Sequence, residues 1–194
     1  TRIDPSVSNI VELIVLTSDY YDDVLEWTAN NRTADLFPTE PSVESLNTLF
    51  ATSLNPYKAI GDQLIYTPAK FKKLFGATAD STLRGTFKVI KSAGATITDN
   101  EIKSRVLSAI KSFFDIGNWT YGESFYYTEL CAFIHSQLST QISSVVIVGK
   151  DAESIFGDLF EITSQPNELF YSTATVDDIE IINSFTDQNL KKGS

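Results

Sequence analysis

The sequence is poor in the residues that most often build catalytic and metal-binding sites. It has no methionine, one cysteine (Cys131) and one histidine (His135) among 194 residues. A single cysteine cannot form an internal disulfide, and one thiol with one imidazole leaves most zinc and iron sites short of ligands. The phosphate-binding glycine loop, the G-x-S-x-G elbow and the H-E-x-x-H motif are also missing. We therefore expect no enzyme of these common classes, no metal and no cofactor.

Long apolar runs are absent as well. No stretch approaches the roughly 18 apolar residues of a membrane span, and no secretory signal opens the chain, so we expect no membrane partner. The start at Thr1 and the lack of methionine suggest that the chain is a piece of a longer polypeptide. The composition, 42% hydrophobic and 21% charged, is typical of a globular protein. We expect residues 1–194 to form a single domain.

Acidic residues outnumber basic ones, but the basic ones are unevenly spread. The net charge of −10 argues against nucleic-acid binding, because affinity for duplexes depends on neutralising phosphates. Residues 58–111 nevertheless hold ten of the fifteen Lys and Arg residues and only four acids. This segment suggests a surface for an acidic neighbour, such as another copy of the chain, although solvated lysines would give the same pattern. The basic interface candidates are Lys70, Lys72, Lys73, Arg84 and Lys88.

Residue patterns predict helices and strands in alternation. The predicted strands or extended segments are 10–17, 62–76, 82–92, 142–150 and 177–185, with a β-hairpin over 159–175 around Gln165, Pro166 and Asn167. The predicted helices are a short one capped by Ser18 or Asp19, a second capped by Ser42, a third over 97–115, and a fourth that contains Cys131 and His135. The third has a Thr98–Glu101 capping box and Gly117 where a C-terminal glycine is expected.

The order of these elements predicts an α+β fold. We expect a two-layer sandwich of mainly antiparallel sheet with the helices on one face. The centre, about 8–150, is similar to a ferredoxin-like arrangement and carries a helical insertion at about 18–60. Residues 151–194 would then form a β-hairpin extension. In the strand over 82–92, the alternation places Lys88 on the face away from the core.

The stretch "NWTYGESFYYTELCAFIH", residues 118–135, holds both the cysteine and the histidine. Cys131 and His135 lie one helical turn apart, which formally allows a thiol–imidazole dyad. Helical phase instead places Cys131 on an apolar face with Leu130 and Ile134, and His135 at the edge of that face. The pattern therefore favours core packing over nucleophilic catalysis.

Aromatic residues and paired acids offer two further hypotheses. Trp119 and Tyr121, with the aromatic residues of 125–127, could stack on a carbohydrate, dock a protein or belong to the core. Asp22 and Asp23 could bind a divalent cation, but acids at a helix start are explained by the helix dipole.

Residues 82–148 resemble the C-terminal part of the J-like baseplate wedge proteins of contractile-tailed bacteriophages. The resemblance is carried by a strand, the helix "EIKSRVLSAIKSFFD", a short junction, the helix "SFYYTELCAFIHSQL" and the strand "ISSVVIVG". The segments "RIDPSVSNIVELIVLT" and "QLIYTPAKFKKL" are also similar to those that precede this module. The motifs are hydrophobic patterns and contain no catalytic residues to transfer.

The resemblance implies a structural role in the virion. Proteins of this kind assemble into dimers through their C-terminal modules, and into a ring around the tail tube with other wedge subunits. It predicts a homodimer in the tail baseplate, assembled in the host cytoplasm, with Trp119, Tyr121 and the five basic candidates as interface residues. The alternative is a tail-fibre or adhesin module that recognises carbohydrate through the aromatic residues around Trp119.

Overall fold

The computed structural model describes residues 10–30, 36–53, 63–150 and 161–184. Contacts group the chain into two compact units, Thr1–Lys70 and Phe71–Ser194, and each is described by itself. The chain is of the mixed α/β type. Its helices are α1 (Ser18–Ala29), α2 (Val43–Phe50), α3 (Asp99–Phe113) and α4 (Tyr127–Gln137). Its strands are β1 (Ile10–Val15), β2 (Gln63–Pro68), β3 (Lys70–Leu74), β4 (Gly85–Lys91), β5 (Ser124–Tyr126), β6 (Ile142–Gly149), β7 (Glu161–Thr163), β8 (Glu168–Ser172) and β9 (Ile179–Ile182).

The first unit combines a two-stranded parallel sheet with α1 and α2. β1 and β2 pair in register from Ile10 opposite Gln63 to Val15 opposite Pro68. Pro68 closes this ladder, as expected for a residue without an N–H donor. Tyr66 of β2 is buried and stacks on Phe50 of α2, with ring centroids 5.9 Å apart.

Both helices of the first unit begin close to the predicted caps. The Ser42 hydroxyl accepts from the Ser45 N–H at 3.1 Å, which confirms the predicted start of α2. The cap of α1 is Thr17, one residue before the predicted Ser18 or Asp19, and its hydroxyl accepts from the Tyr20 N–H. The difference is small because any of these side chains can accept from the first free N–H groups.

The second unit is built on the three-stranded sheet β6-β4-β9. β4 is antiparallel to β6 and parallel to β9. The strand predicted at 82–92 is present as β4, but the expected antiparallel pairing holds on one side only, because β4 lies between two partners that run in opposite directions. The same unit holds two further pairings, β3 with β8 and antiparallel β5 with β7.

Helices α3 and α4 supply most of the helical part of the second core. Thr98 caps α3 as predicted, since its hydroxyl accepts from the Glu101 N–H at 3.2 Å. The apolar stripe buries Ile102, Val106 and Ile110 completely. Leu130 and Ile134 of α4 are also fully buried in the same cluster. Each such side chain contributes about 1.5–3 kcal/mol relative to an exposed one, so this cluster is the main source of stability in the second unit.

Two predicted features of the second unit are wrong. The segments on either side of the turn at Gln165 do not pair with each other, because β7 joins β5 and β8 joins β3. The turn itself is present, with the Glu168 N–H donating to the Gln165 carbonyl at 2.9 Å. Gly117 does not end α3 in a left-handed conformation. It lies in a short 3-10 turn, and its N–H donates to the Asp115 carboxylate at 2.9 Å.

Candidate interaction surface

The basic interface candidates on β3 are partly neutralised by acids of the same chain. Lys70 is exposed, and its Nζ lies 3.1 Å from Glu40 Oε1 within the first unit. In the second unit, Lys72 Nζ lies 3.8 Å from Glu168 Oε2, and Lys73 is half-buried. The Lys70 pair is largely exposed and contributes about 0–1 kcal/mol, so Lys70 remains available to a partner at little cost. The side chains of Lys72 and Glu168 are only 24% and 16% exposed, so Lys72 is less accessible.

Arg84 lies just before β4, and its side chain is hydrogen-bonded to the backbone. Its Nε donates to the Ala79 carbonyl at 3.0 Å, and the side chain is half-buried. This bond fixes one edge of the guanidinium group. Arg84 therefore combines a structural role with a partly accessible charge.

Lys88 does not lie on the surface, and its prediction as an outward-facing interface residue is wrong. The residue is 3% exposed, and its Nζ lies 2.6 Å from Glu180 Oε2 on β9. Lys88 and Glu180 are opposite each other in the parallel β4–β9 register, so they share one face of the sheet. Because β4 is the central strand, its side chains have neighbours on both flanks, and Lys88 is enclosed. The pair ties β9 to β4.

A second ion pair joins the ends of β6 and β9. Asp178 is 2% exposed, and its Oδ1 lies 2.5 Å from Lys150 Nζ, just after β6. Its Oδ2 accepts from the Thr175 N–H at 2.9 Å. The carboxylate is thus fully engaged in holding the start of β9. Sequence patterns predicted a strand over 177–185 but not the partner of Asp178, which lies 28 residues away.

Trp119 belongs to an aromatic cluster. Its ring stacks on Phe114, with centroids 5.9 Å apart, and meets Phe125 and Phe170 edge-on at 5.8 and 5.1 Å. The indole N–H donates to the Phe113 carbonyl at 2.7 Å. Such ring pairs add about 0.5–1.5 kcal/mol each beyond area burial. Trp119 is therefore engaged on its faces by the protein itself, as expected for a core cluster and not for an open stacking platform.

Tyr121 lies in the tight turn between Trp119 and β5. The side chain is half-buried, and burial raises the pKa of its hydroxyl above the ordinary value of 10.0. Gly122 has a φ of 75°, which favours glycine, and its N–H donates to the Glu168 carbonyl at 3.4 Å. The Thr120 N–H donates to the Glu123 carboxylate at 2.9 Å, and this bond lowers the pKa of Glu123. These contacts fix the junction before β5.

Cys131 has the properties of a core residue. Burial raises the pKa of its thiol to about 12, although the Ile147 N–H, which donates to the sulfur, opposes the shift. A thiol with this pKa is almost entirely protonated near neutral pH and is a poor nucleophile. Cys131 is half-buried against the core, whereas His135 is exposed. The helical-phase prediction for Cys131 is confirmed.

The described part of the chain offers no metal-binding cluster. Within it, three or more His, Cys, Asp or Glu side chains nowhere converge in a way that could hold an ion. Asp22 and Asp23 lie exposed on α1. None of the helices in the same residues combines the length and apolarity needed to cross a membrane.

Comparison with known proteins gave no match to any protein-family model and no match to any curated protein.

Proposed function

We propose that this chain is a structural module of a contractile phage tail baseplate, similar to the J-like wedge proteins. It acts by binding a second copy of itself and other wedge subunits within the virion, and it catalyses no reaction. The finer fold that accompanies this proposal is a two-layer sandwich with a ferredoxin-like centre and helices on one face.

The observation that carries the proposal is the order and pairing of elements in residues 85–149. The wedge-like pattern requires a strand, a helix, a short junction, a second helix and a β-branched strand. The chain has β4, α3, the β5 junction, α4 and β6 in this order, and β4 and β6 are antiparallel neighbours. The apolar residues that produced the resemblance, including Ile102, Val106 and Ile134, are fully buried in one cluster. The pattern therefore corresponds to a packed module.

The surface chemistry also favours assembly over catalysis or sugar binding. The thiol of Cys131 has a raised pKa, which does not suit a nucleophile. Trp119 packs against Phe114, Phe125 and Phe170, so this ring is already engaged within the protein, and the carbohydrate-binding alternative would depend on the exposed Tyr126. Lys70 is exposed, and its surface pair with Glu40 is of the kind that an acidic neighbour can replace at little cost.

The proposal is tested by locating the protein in the particle. Antibodies raised against this chain should label the baseplate end of purified contractile tails from the source, in gold-label electron microscopy. Antibody preabsorbed with the chain provides the control. Labelling of fibre tips would favour the adhesin alternative. Particles that carry sheath and tube but no label anywhere would refute the baseplate assignment.

A further inference from the structure

Residues 161–184, which we call the strap, contain three strands that each pair with a different strand earlier in the chain. β7 pairs with β5, β8 with β3 and β9 with β4. These partners belong to the first part of the second unit, residues 71–150, which we call the frame. Exposed strand edges invite uncontrolled pairing with other chains, and proteins commonly cover them. The strap therefore covers one edge of each of three frame strands with a single segment.

A buried serine closes the joint between β7 and β5. The N–H and the hydroxyl of Ser164 both donate to the Glu123 carbonyl, each at 2.9 Å. Beside this joint, Ile162 of β7 is buried and lies opposite the buried Phe125 in the β5–β7 register. The first joint therefore combines a polar contact with an apolar one.

A buried threonine closes the joint between β8 and β3 in the same way. The N–H and the hydroxyl of Thr173 both donate to the Leu74 carbonyl, at 3.0 and 3.2 Å. Phe170 of β8 meets the rings of Trp119 and Phe125 edge-on, with centroids 5.1 and 5.0 Å apart. Both of these joints rely on carbonyl groups and aromatic rings that the frame supplies.

The third joint, between β9 and β4, combines a short ladder with two ion pairs. The ladder contains four residue pairs. The Glu180 carboxylate lies 2.6 Å from Nζ of the buried Lys88, and Asp178 pairs with Lys150. Removing one member of a buried ion pair is costly, because the other charge is left unpaired. The charge of Glu180 is therefore a sensitive point at which to weaken this joint.

Two hydrogen-bonded turns connect the three strands of the strap. Between β7 and β8, the Glu168 N–H donates to the Gln165 carbonyl at 2.9 Å, and the Glu168 carboxylate accepts from the Gln165 N–H at 2.8 Å. Between β8 and β9, the Thr175 N–H donates to the Asp178 carboxylate at 2.9 Å, and the Asp178 N–H donates to the Thr175 carbonyl at 3.1 Å. A strand that leaves the frame therefore pulls on the next strand.

Most of the core of the second unit belongs to the frame. Its buried cluster takes Ile162, Phe170, Ala174 and Ile179 from the strap, and its other members lie within residues 74–145. The frame also contains the β4–β6 ladder and the helices α3 and α4, which contact each other. In the described part of the chain, the strands of the strap form ladders only with frame strands. The strap thus depends on the frame more than the frame depends on the strap.

We propose that the strap opens and closes on the frame as one cooperative unit, at a lower free energy than global unfolding. It acts as a removable cover over the edges of β3, β4 and β5. Contiguous segments of this kind commonly form cooperative units of local unfolding. The inference does not rest on the proposed function.

Amide hydrogen exchange of the intact chain tests the proposal, under conditions where closing is faster than exchange. The Ser164 and Thr173 amides report on two joints of the strap, and the Val106 and Ile110 amides within α3 report on the frame. The opening constants of the two strap amides should agree within about threefold. They should exceed those of the two frame amides at least about tenfold.

Two conservative variants test whether the joints are coupled. Glu180→Gln removes the charge that faces Lys88 and should raise the opening constants of Ser164 and Thr173 by the same factor, at least about threefold. The control is Ile134→Val, which lies in the core on α4 and weakens the frame whether the strap is open or closed. It should leave the two strap constants within about twofold of wild type and should accelerate the exchange of Val106.

Either of two results would overturn the proposal. If Glu180→Gln accelerates exchange in β9 alone, the three joints open independently. If Ser164 and Thr173 open no more readily than Val106, and Ile134→Val accelerates all three amides equally, the strap opens only by global unfolding.

Discussion

Replacing Trp119 tests whether this residue is part of the core or a surface for ligands. Trp119→Ala removes a ring that packs on Phe114, Phe125 and Phe170, together with the 2.7 Å hydrogen bond to the Phe113 carbonyl. Large aromatic-to-alanine changes in cores cost about 3–5 kcal/mol. Because Trp119 is half-buried, we expect a loss of about 3 kcal/mol in the free energy of unfolding.

Trp119→Phe separates the ring from its hydrogen bond. The smaller ring keeps much of the aromatic packing but leaves the Phe113 carbonyl without the indole donor, which costs about 1 kcal/mol. The unfolding free energies are measured by urea denaturation followed by far-ultraviolet circular dichroism. Tyr126→Ala is the control, because Tyr126 is 46% exposed and should cost less than about 1 kcal/mol.

The packing explanation also predicts restricted solvent access. In a Trp27→Phe background, Trp119 is the only emitting tryptophan, because the chain has two. Its quenching by acrylamide should be several-fold weaker than in the unfolded chain. A Trp119→Ala variant that loses less than about 1 kcal/mol, combined with quenching equal to that of the unfolded chain, would refute the core role.

Three further changes test other parts of the fold. Glu180→Ala removes the carboxylate that lies 2.6 Å from the buried Lys88 Nζ and should lower the free energy of unfolding by about 2 kcal/mol. The double replacement Lys88→Met/Glu180→Leu should lower it by less than half as much. Equal losses would contradict the ion-pair explanation. Burial raises the pKa of the Cys131 thiol from its ordinary value of 9.0 to about 12. The stabilisation that comes from burying the neutral thiol is therefore complete below pH 9 and is lost as the pH rises from about 9 toward 12. Cys131→Ala should therefore show a smaller alkaline loss in urea titrations, and an unchanged pH profile would show that the thiol is not buried in solution. In Gly76→Ala the added Cβ would overlap the carbonyl oxygen of Thr173, and we expect a loss of about 3 kcal/mol; a change below 1 kcal/mol would show that the two segments are further apart than described.

The parts of the fold that the sequence predicts well depend on local signals. The cap at Thr98 and the spacing of Ile102, Val106 and Ile110 define α3 without reference to other segments, because capping and helical periodicity act within a few residues. The strand at 142–150 is predicted for a similar reason, since its β-branched run favours extended backbone.

The incorrect predictions concern the choice of distant partners. The turn at Gln165 suggested a hairpin, but β7 and β8 pair with strands far away in the sequence. Turn residues specify a change of direction and do not specify which strand lies alongside. Lys88 occupies a polar position in an alternating strand, which predicts an outward-facing side chain. In the structure, β9 pairs with β4 in parallel, and Glu180 of β9 helps to enclose Lys88.

For the candidate surface too, local signals gave correct predictions, whereas contacts with distant residues were not predicted. The apolar phase of α4 correctly predicted that Cys131 packs against the core, because the phase depends only on helical geometry. The ring contacts of Trp119 and the 2.5 Å pair between Lys150 and Asp178 bring together elements far apart in the chain. No pattern within either segment identifies such a partner.

Sedimentation equilibrium of the purified chain over a wide range of concentration tests the assembly proposal most directly. The chain has a mass of 21.5 kDa. The proposal predicts a reversible shift from this mass to twice this mass as the concentration rises. A single species of 21.5 kDa up to the highest soluble concentration would contradict it.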